Sequence, residues 1–207
     1  MQARRIPHLP VYLDSPMALS TLGIYRRALA EGSPEIQADL RRQAFSSDPF
    51  DPFNPGSLIE IRSVEQSRAL NDLRTPAIII SASGMATGGR VLHHLANRLP
   101  DEWNTVILVG FQTEGMRGRL LFEDARVVKM LGRYIPVRAE VITVPAFSVH
   151  ADQAELLAWL HTASPPPEIV YVVHGEQEAA ASLCGAIEKS LDWTAAVPHH
   201  LEQVRLD

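Results

Sequence analysis

Residues 77–95 read AIIISASGMATGGRVLHHL: a run of four apolar residues from Ala77 to Ile80, a loop of Ser and Gly, then a stretch with helical spacing. A short β-branched run bounded by turn residues has the length of a strand buried on both faces and is too short for a buried helix. The same figure recurs outward along the chain. Strands are predicted at Leu9–Leu13, Leu58–Ile61, Ala77–Ile80, Thr105–Val109, Ala139–Val144 and Ile169–Val173. Helical signals lie between most of them, at Met17–Ala30, Ser63–Leu73, Gly88–Leu99, Asp152–Trp159 and Glu176–Leu191. This alternation predicts an α/β fold with a mainly parallel sheet flanked by helices. A Pro-rich loop from Ser46 to Gly56 interrupts it, and its Phe and Pro residues predict packing against the body of the molecule.

The 207 residues are 46% hydrophobic and 21% charged, with one cysteine, Cys184, which excludes a disulfide scaffold and a disordered chain. No apolar run reaches the length of about 18 residues that spans a bilayer, and no apolar segment follows the charges near Met1. Neither a membrane helix nor a secretory signal is therefore expected, and the cytoplasm is the expected location. A net charge of −5 argues against holding nucleic acid by bulk charge. Its distribution is uneven: residues 111–138 carry Arg117, Arg119, Arg126, Lys129, Arg133 and Arg138 against three carboxylates, whereas residues 139–207 carry two cations against ten. The 111–138 stretch is the patch that could meet an anionic polymer, and a solvated face is the alternative.

Parallel α/β sheets carry their chemistry in loops leaving the carboxyl ends of strands. In Asp14-Ser15-Pro16, either Asp14 or Ser15 can cap a helix that starts at Pro16, and capping accounts for them as well as anion binding does. The Ser81–Arg90 loop has glycines that let backbone amides approach a phosphate, but neither the G-x-G-x-x-G spacing nor a P-loop lysine; a tight turn without ligand is equally compatible. His150 precedes Asp152 at a predicted helix cap, and His174 stands at the end of an apolar strand. Imidazole is both the commonest Zn²⁺ ligand and the usual proton donor near neutral pH, although two histidines do not make the three-ligand catalytic site.

Several of these segments together resemble the β-CASP branch of the metallo-β-lactamase superfamily. They are Asp14-Ser-Pro-Met-Ala, Ser81–Leu95, Val109–Arg119, Val137–Val141, Phe147–Gln153 and Val173–Glu176, in that order. The chain is similar in particular to bacterial and archaeal RNA-processing nucleases of that branch. The resemblance implies that residues 1–122 are most of the inserted β-CASP domain. Residues 123–207 are then the C-terminal segment completing a metallo-β-lactamase αββα sandwich. It implies that His174 ligates one of two Zn²⁺ ions and that His150 protonates the departing oxygen, after in-line attack of a metal-held hydroxide on phosphorus. Ser15, Ser83 and Gly84 become substrate-phosphate contacts on the same basis.

The H-x-H-x-D-H motif of the family is absent from these residues, so most zinc ligands are missing and the chain alone is expected to be inactive. The implied partners are RNA, the upstream metallo-β-lactamase half and a second copy of the chain, with no membrane. Either a homodimer or a poorly ordered tail is expected because the helix faces Leu156, Leu157, Leu160 and Leu183, Ile187, Leu191 would lack part of their usual cover. Two other readings compete: a non-catalytic chain binding RNA or a partner through Arg117–Arg138, and a nucleotide binder using Ser81–Arg90.

Overall fold

The computed structural model describes residues 7–44, 51–147 and 150–204. Two compact units divide at Val144 and Pro145. In the first unit, β1 (Val11–Leu13) leads into α1 (Pro16–Ala30) and α2 (Ala38–Ala44). There follow β2 (Leu58–Glu60), α3 (Val64–Ala69), β3 (Ile78–Ile80) and α4 (Val91–Arg98). Next come β4 (Thr105–Val109), α5 (Arg117–Phe122), β5 (Val127–Met130), β6 (Arg133–Pro136) and β7 (Glu140–Val144). Strand β1 lies between β2 and β3 and is parallel to both, with Val11 opposite Leu58 and Ile78. Strand β4 pairs in parallel with β7, and β5 with β6 forms an antiparallel hairpin. The architecture is α/β with parallel sheets flanked by helices, as the alternation predicts.

The period-two alternation of β4 decides what is buried. Val106 and Leu108 face the core, where Leu92, Leu95 and Leu99 pack with Leu121, Val128, Met130 and Ile135. Ile107 and Val109 point to the opposite side, paired with Ile142 and Val144 of β7. That side is open: Ile107 is 57% and Val109 50% exposed. Parallel strands are ordinarily covered on both faces, and within the first unit the core covers one face of this pair.

The second unit contains α6 (Gln153–Leu160), β8 (Val170–Tyr171), α7 (Gln177–Leu191) and β9 (Ala195–Ala196), with β8 and β9 parallel. Ile187 is fully buried, and Leu157 and Leu160 of α6 pack in one cluster with Leu183, Cys184 and Leu191 of α7. The two helices thus cover part of each other's apolar faces, with Leu157, Leu160, Leu183 and Leu191 remaining partly buried, and apolar surface is also bare on β4 and β7. Cys184 is a small residue in this cluster, and burial pushes its thiol pKa up, with Glu188 adding to the effect.

Other boundaries shift for identifiable reasons. Helix α4 begins at Val91 and not at Gly88, because Gly89 has φ +79°, outside the helical region. The last predicted strand shortens to Val170–Tyr171, although Val172 N–H still donates to Ala196 O at 2.9 Å. In the Pro-rich loop, residues 46–50 lie outside the described residues. The remainder packs as expected, with Asp51 in an ion pair with Arg26 at 2.8 Å and Phe53 against Tyr25 at 5.9 Å between ring centroids. Residues 1–6, part of the start read for a secretory signal, also lie outside. No helix among the described residues is long and apolar enough to cross a membrane.

Candidate functional site

The first strand-end loop is fixed from within. The Ser15 hydroxyl accepts from Ala18 N–H at 3.2 Å and caps α1, so Ser15 and not Asp14 is the cap. Asp14 is fully buried and joins three elements. Its carboxylate accepts from Ser67 Oγ of α3 at 2.5 Å, from Arg90 Nη1 at 2.6 Å and from His94 Nε2 of α4 at 2.6 Å, while Ser81 Oγ donates to its carbonyl at 2.9 Å. Burial pushes the Asp14 carboxyl pKa up, but the bonds from Ser67, Arg90 and His94 outweigh it and hold the group below its ordinary value. An ionised carboxylate only accepts, so Nε2 of His94 carries the proton, and Nδ1 is buried with no hydrogen-bond partner among the described residues. None of the candidate sites read from the sequence includes this cluster. Two signals pointed to it: Asp14 is the sole carboxylate among residues 1–30, and Arg90 and His94 lie one helical turn apart.

The Ser81–Arg90 loop folds on itself. Ser83 Oγ and Thr87 Oγ1 are 2.8 Å apart, and Ala86 N–H donates to Ser83 O at 3.1 Å. Gly84 is exposed, and a Cβ there would stand 3.8 Å from Val109 O, an ordinary contact. Two arginines of the cationic stretch are engaged beside this loop. Arg117 donates through Nε to Lys129 O at 2.7 Å and through Nη1 to Ala86 O at 3.3 Å. Arg119 pairs with Glu123 at 2.6 Å and donates to Gln112 O. These bonds give both guanidinium groups a part in holding the fold. The close seat of α5 has its own requirement. A Cβ at Gly118 would fall 1.8 Å from Gln112 Oε1 and 3.2 Å from the Met85 backbone, so glycine is needed there.

The histidines of the second unit are of another kind. His150 and His174 are both exposed. Ser148 and Val149, in the motif preceding His150, lie outside the described residues. Asp152, the candidate carboxylate partner of His150, accepts from Glu155 N–H at 2.9 Å, while Glu155 Oε2 accepts from Asp152 N–H at 2.9 Å. This reciprocal capping box assigns Asp152 to the start of α6. His174 follows β8 with φ +69°, a left-handed conformation that is uncommon for a residue bearing a side chain. Glu176 is the N-cap residue of α7 and makes no side-chain capping bond. Among the described residues, no three His, Cys, Asp or Glu side chains converge as metal ligands do.

Sequence comparison supplies the context. Residues 1–121 match the family model described as Beta-Casp domain, and residues 134–198 match the one described as Zn-dependent metallo-hydrolase RNA specificity domain. The chain belongs to the β-CASP family. Among curated relatives of this β-CASP chain, Ribonuclease TTHA0252 of Thermus thermophilus is 40% identical over 179 residues, covering 86% of this chain and 39% of that protein. Transcription termination factor FttA of Pyrococcus abyssi is 30% identical over 202 residues, covering 95% and 30%. The RNase J-like protein of Methanocaldococcus jannaschii is 31% identical over 198 residues, covering 96% and 43%. The β-CASP chain thus spans less than half the length of each. A catalytic zinc takes three protein ligands and leaves one position open. The described residues do not gather that set by themselves, so they do not fit a complete zinc site.

Proposed function

We propose that this β-CASP chain is the C-terminal portion of a zinc-dependent ribonuclease that hydrolyses RNA phosphodiester bonds, and that it is inactive alone. The observation that carries the reading is the pair of family matches over residues 1–121 and 134–198, together with relatives that include a ribonuclease. In this reading residues 1–122 form the β-CASP domain and residues 123–207 complete a metallo-β-lactamase domain, in the cytoplasm. His174 is the chain's contribution to a metal site whose other ligands lie outside these residues. Its exposed, left-handed position suits an imidazole held out from the end of β8.

His150 is assigned the proton donated to the leaving oxygen, a role suited to an imidazole near neutral pH. Ser83 and Gly84 are assigned phosphate contact through their loop. Ser15 is assigned an indirect part, because its hydroxyl holds the first turn of α1 in position. Joining an upstream segment that bears the H-x-H-x-D-H motif should give Zn²⁺-dependent cleavage of a labelled RNA. His174→Ala should abolish it, and His150→Ala should lower it by about 10²–10⁴-fold, the usual worth of a positioned acid. Full activity in His174→Ala would refute the ligand assignment.

A further inference from the structure

Beyond Arg117 and Arg119, which bond within the fold, the other cations of the stretch lie on the β5–β6 hairpin or immediately beside it. Residues 125–138, which contain the β5–β6 hairpin, hold Arg126, Lys129, Arg133 and Arg138 and no carboxylate, within a chain of net charge −5. The hairpin has an inner and an outer face. Val128, Met130 and Ile135 are buried in the core, and Val137 packs against it. On the outer face Lys129 stands opposite Tyr134 and Val127 opposite Pro136, all four exposed. Arg138 lies two residues beyond the end of β6 and is exposed, its backbone N–H donating to Leu99 O at 2.8 Å. Tyr134 is 73% exposed, so its ring face is open to solvent. The Lys129 ammonium lies 5.6 Å from the ring centroid. None of the four cations forms an ion pair with a carboxylate among the described residues.

We propose that the outer face of the β5–β6 hairpin is a contact surface for single-stranded RNA, with one base stacked on Tyr134 and neighbouring phosphates held by Lys129 and Arg138. This rests on the reading of the chain as part of a ribonuclease and names a place where the substrate strand is held. The chemistry is that of sequence-tolerant single-strand binding: every base has a π face that rests on an exposed aromatic, and cations on either side track the backbone. Arg138 lies four residues after Tyr134 in the chain, beyond the end of β6, so ring and cation do not coincide at one point. Residues 125–138 themselves carry four cations and no carboxylate, although Glu123, Asp124 and Glu140 flank them in the sequence.

The test uses the full chain and a fluorescently labelled oligouridylate of about 12 nucleotides, followed by anisotropy in EDTA from about 50 mM salt upward. Chelation removes hydrolysis from the readout, so binding and the ribonuclease reading fail separately. Tyr134→Ala should weaken binding about tenfold, and Tyr134→Phe, which keeps the stacking surface, should restore it. The Lys129→Gln/Arg138→Gln variant should flatten the slope of log K against log salt by about 1.4, or about 0.7 for each lost phosphate contact. All these residues are exposed, and thermal melting checks that each variant is folded. No binding by the wild-type chain at low salt would overturn the proposal. So would unchanged affinity and slope in both Tyr134→Ala and the double variant, the outcome expected of a ribbon that meets a protein.

Discussion

The loop after β1 and the loops bearing His150 and His174 all follow strands, yet they use polar residues in opposite ways. Asp14 is enclosed and accepts from Ser67, Arg90 and His94, so its charge binds β1, α3 and α4 together. His150 and His174 stand in the open, beside helices that are capped by other residues or not capped by side chains at all. The first arrangement stabilises the fold, whereas the second leaves the imidazoles exposed to solvent. Stability measurements should therefore separate the two regions even though both carry motif residues.

The largest effect is expected at Asp14. Asp14→Asn leaves Arg90 and His94 without their carboxylate and should cost about 3–5 kcal/mol in denaturant unfolding. Because the folded-state pKa of Asp14 is lowered, its contribution is present above about pH 4 and is lost as pH falls through the lowered value. The gap between wild type and Asp14→Asn should accordingly close in strong acid, and a gap that stays constant would show that the carboxylate charge is not its source. Gly118→Ala comes next, at about 1–3 kcal/mol, since its Cβ overlaps the Gln112 side chain and crowds the Met85 backbone.

In the second unit, Asp152→Ala removes the capping box of α6 and should cost about 1 kcal/mol in thermal unfolding. The smallest changes are expected at the histidines. His150→Ala should stay within about 0.5 kcal/mol of wild type, as exposed substitutions do. His174→Gly should stabilise by about 0.5 kcal/mol, because the relief of a left-handed side-chain residue exceeds the entropy cost of glycine. A large loss at either histidine would place it with Asp14 and erase the contrast.

The strand-and-helix alternation was legible because apolar period and turn residues agree over most elements; Thr105–Val109 is a strand in both readings, and α1 differs only by including Pro16. The β5–β6 hairpin was not legible. Its two-residue turn, Leu131-Gly132, has φ +50° and +75°, the geometry of a primed turn that ordinarily carries Asn, Asp or Gly at the first place. Leucine there hides the turn, and the interspersed arginines read as a charge run. The Asp14 cluster was hidden for a different reason: residues 14, 67, 81, 90 and 94 meet only through tertiary packing, and no local pattern records that meeting. The histidines were visible as residues, but their metal-ligand and proton-donor assignments came from family resemblance, since two imidazoles do not specify a reaction.

The uncovered side of β4 and β7 bears on how the chain behaves in solution. Ile107, Val109 and Ile142 form a sticky aliphatic stripe in the native state. Whatever settles on that stripe, without binding the unfolded chain, raises apparent stability by mass action. A melting curve should then shift with protein concentration or with an added apolar co-solute, and a single thermal midpoint describes the sample as well as the molecule.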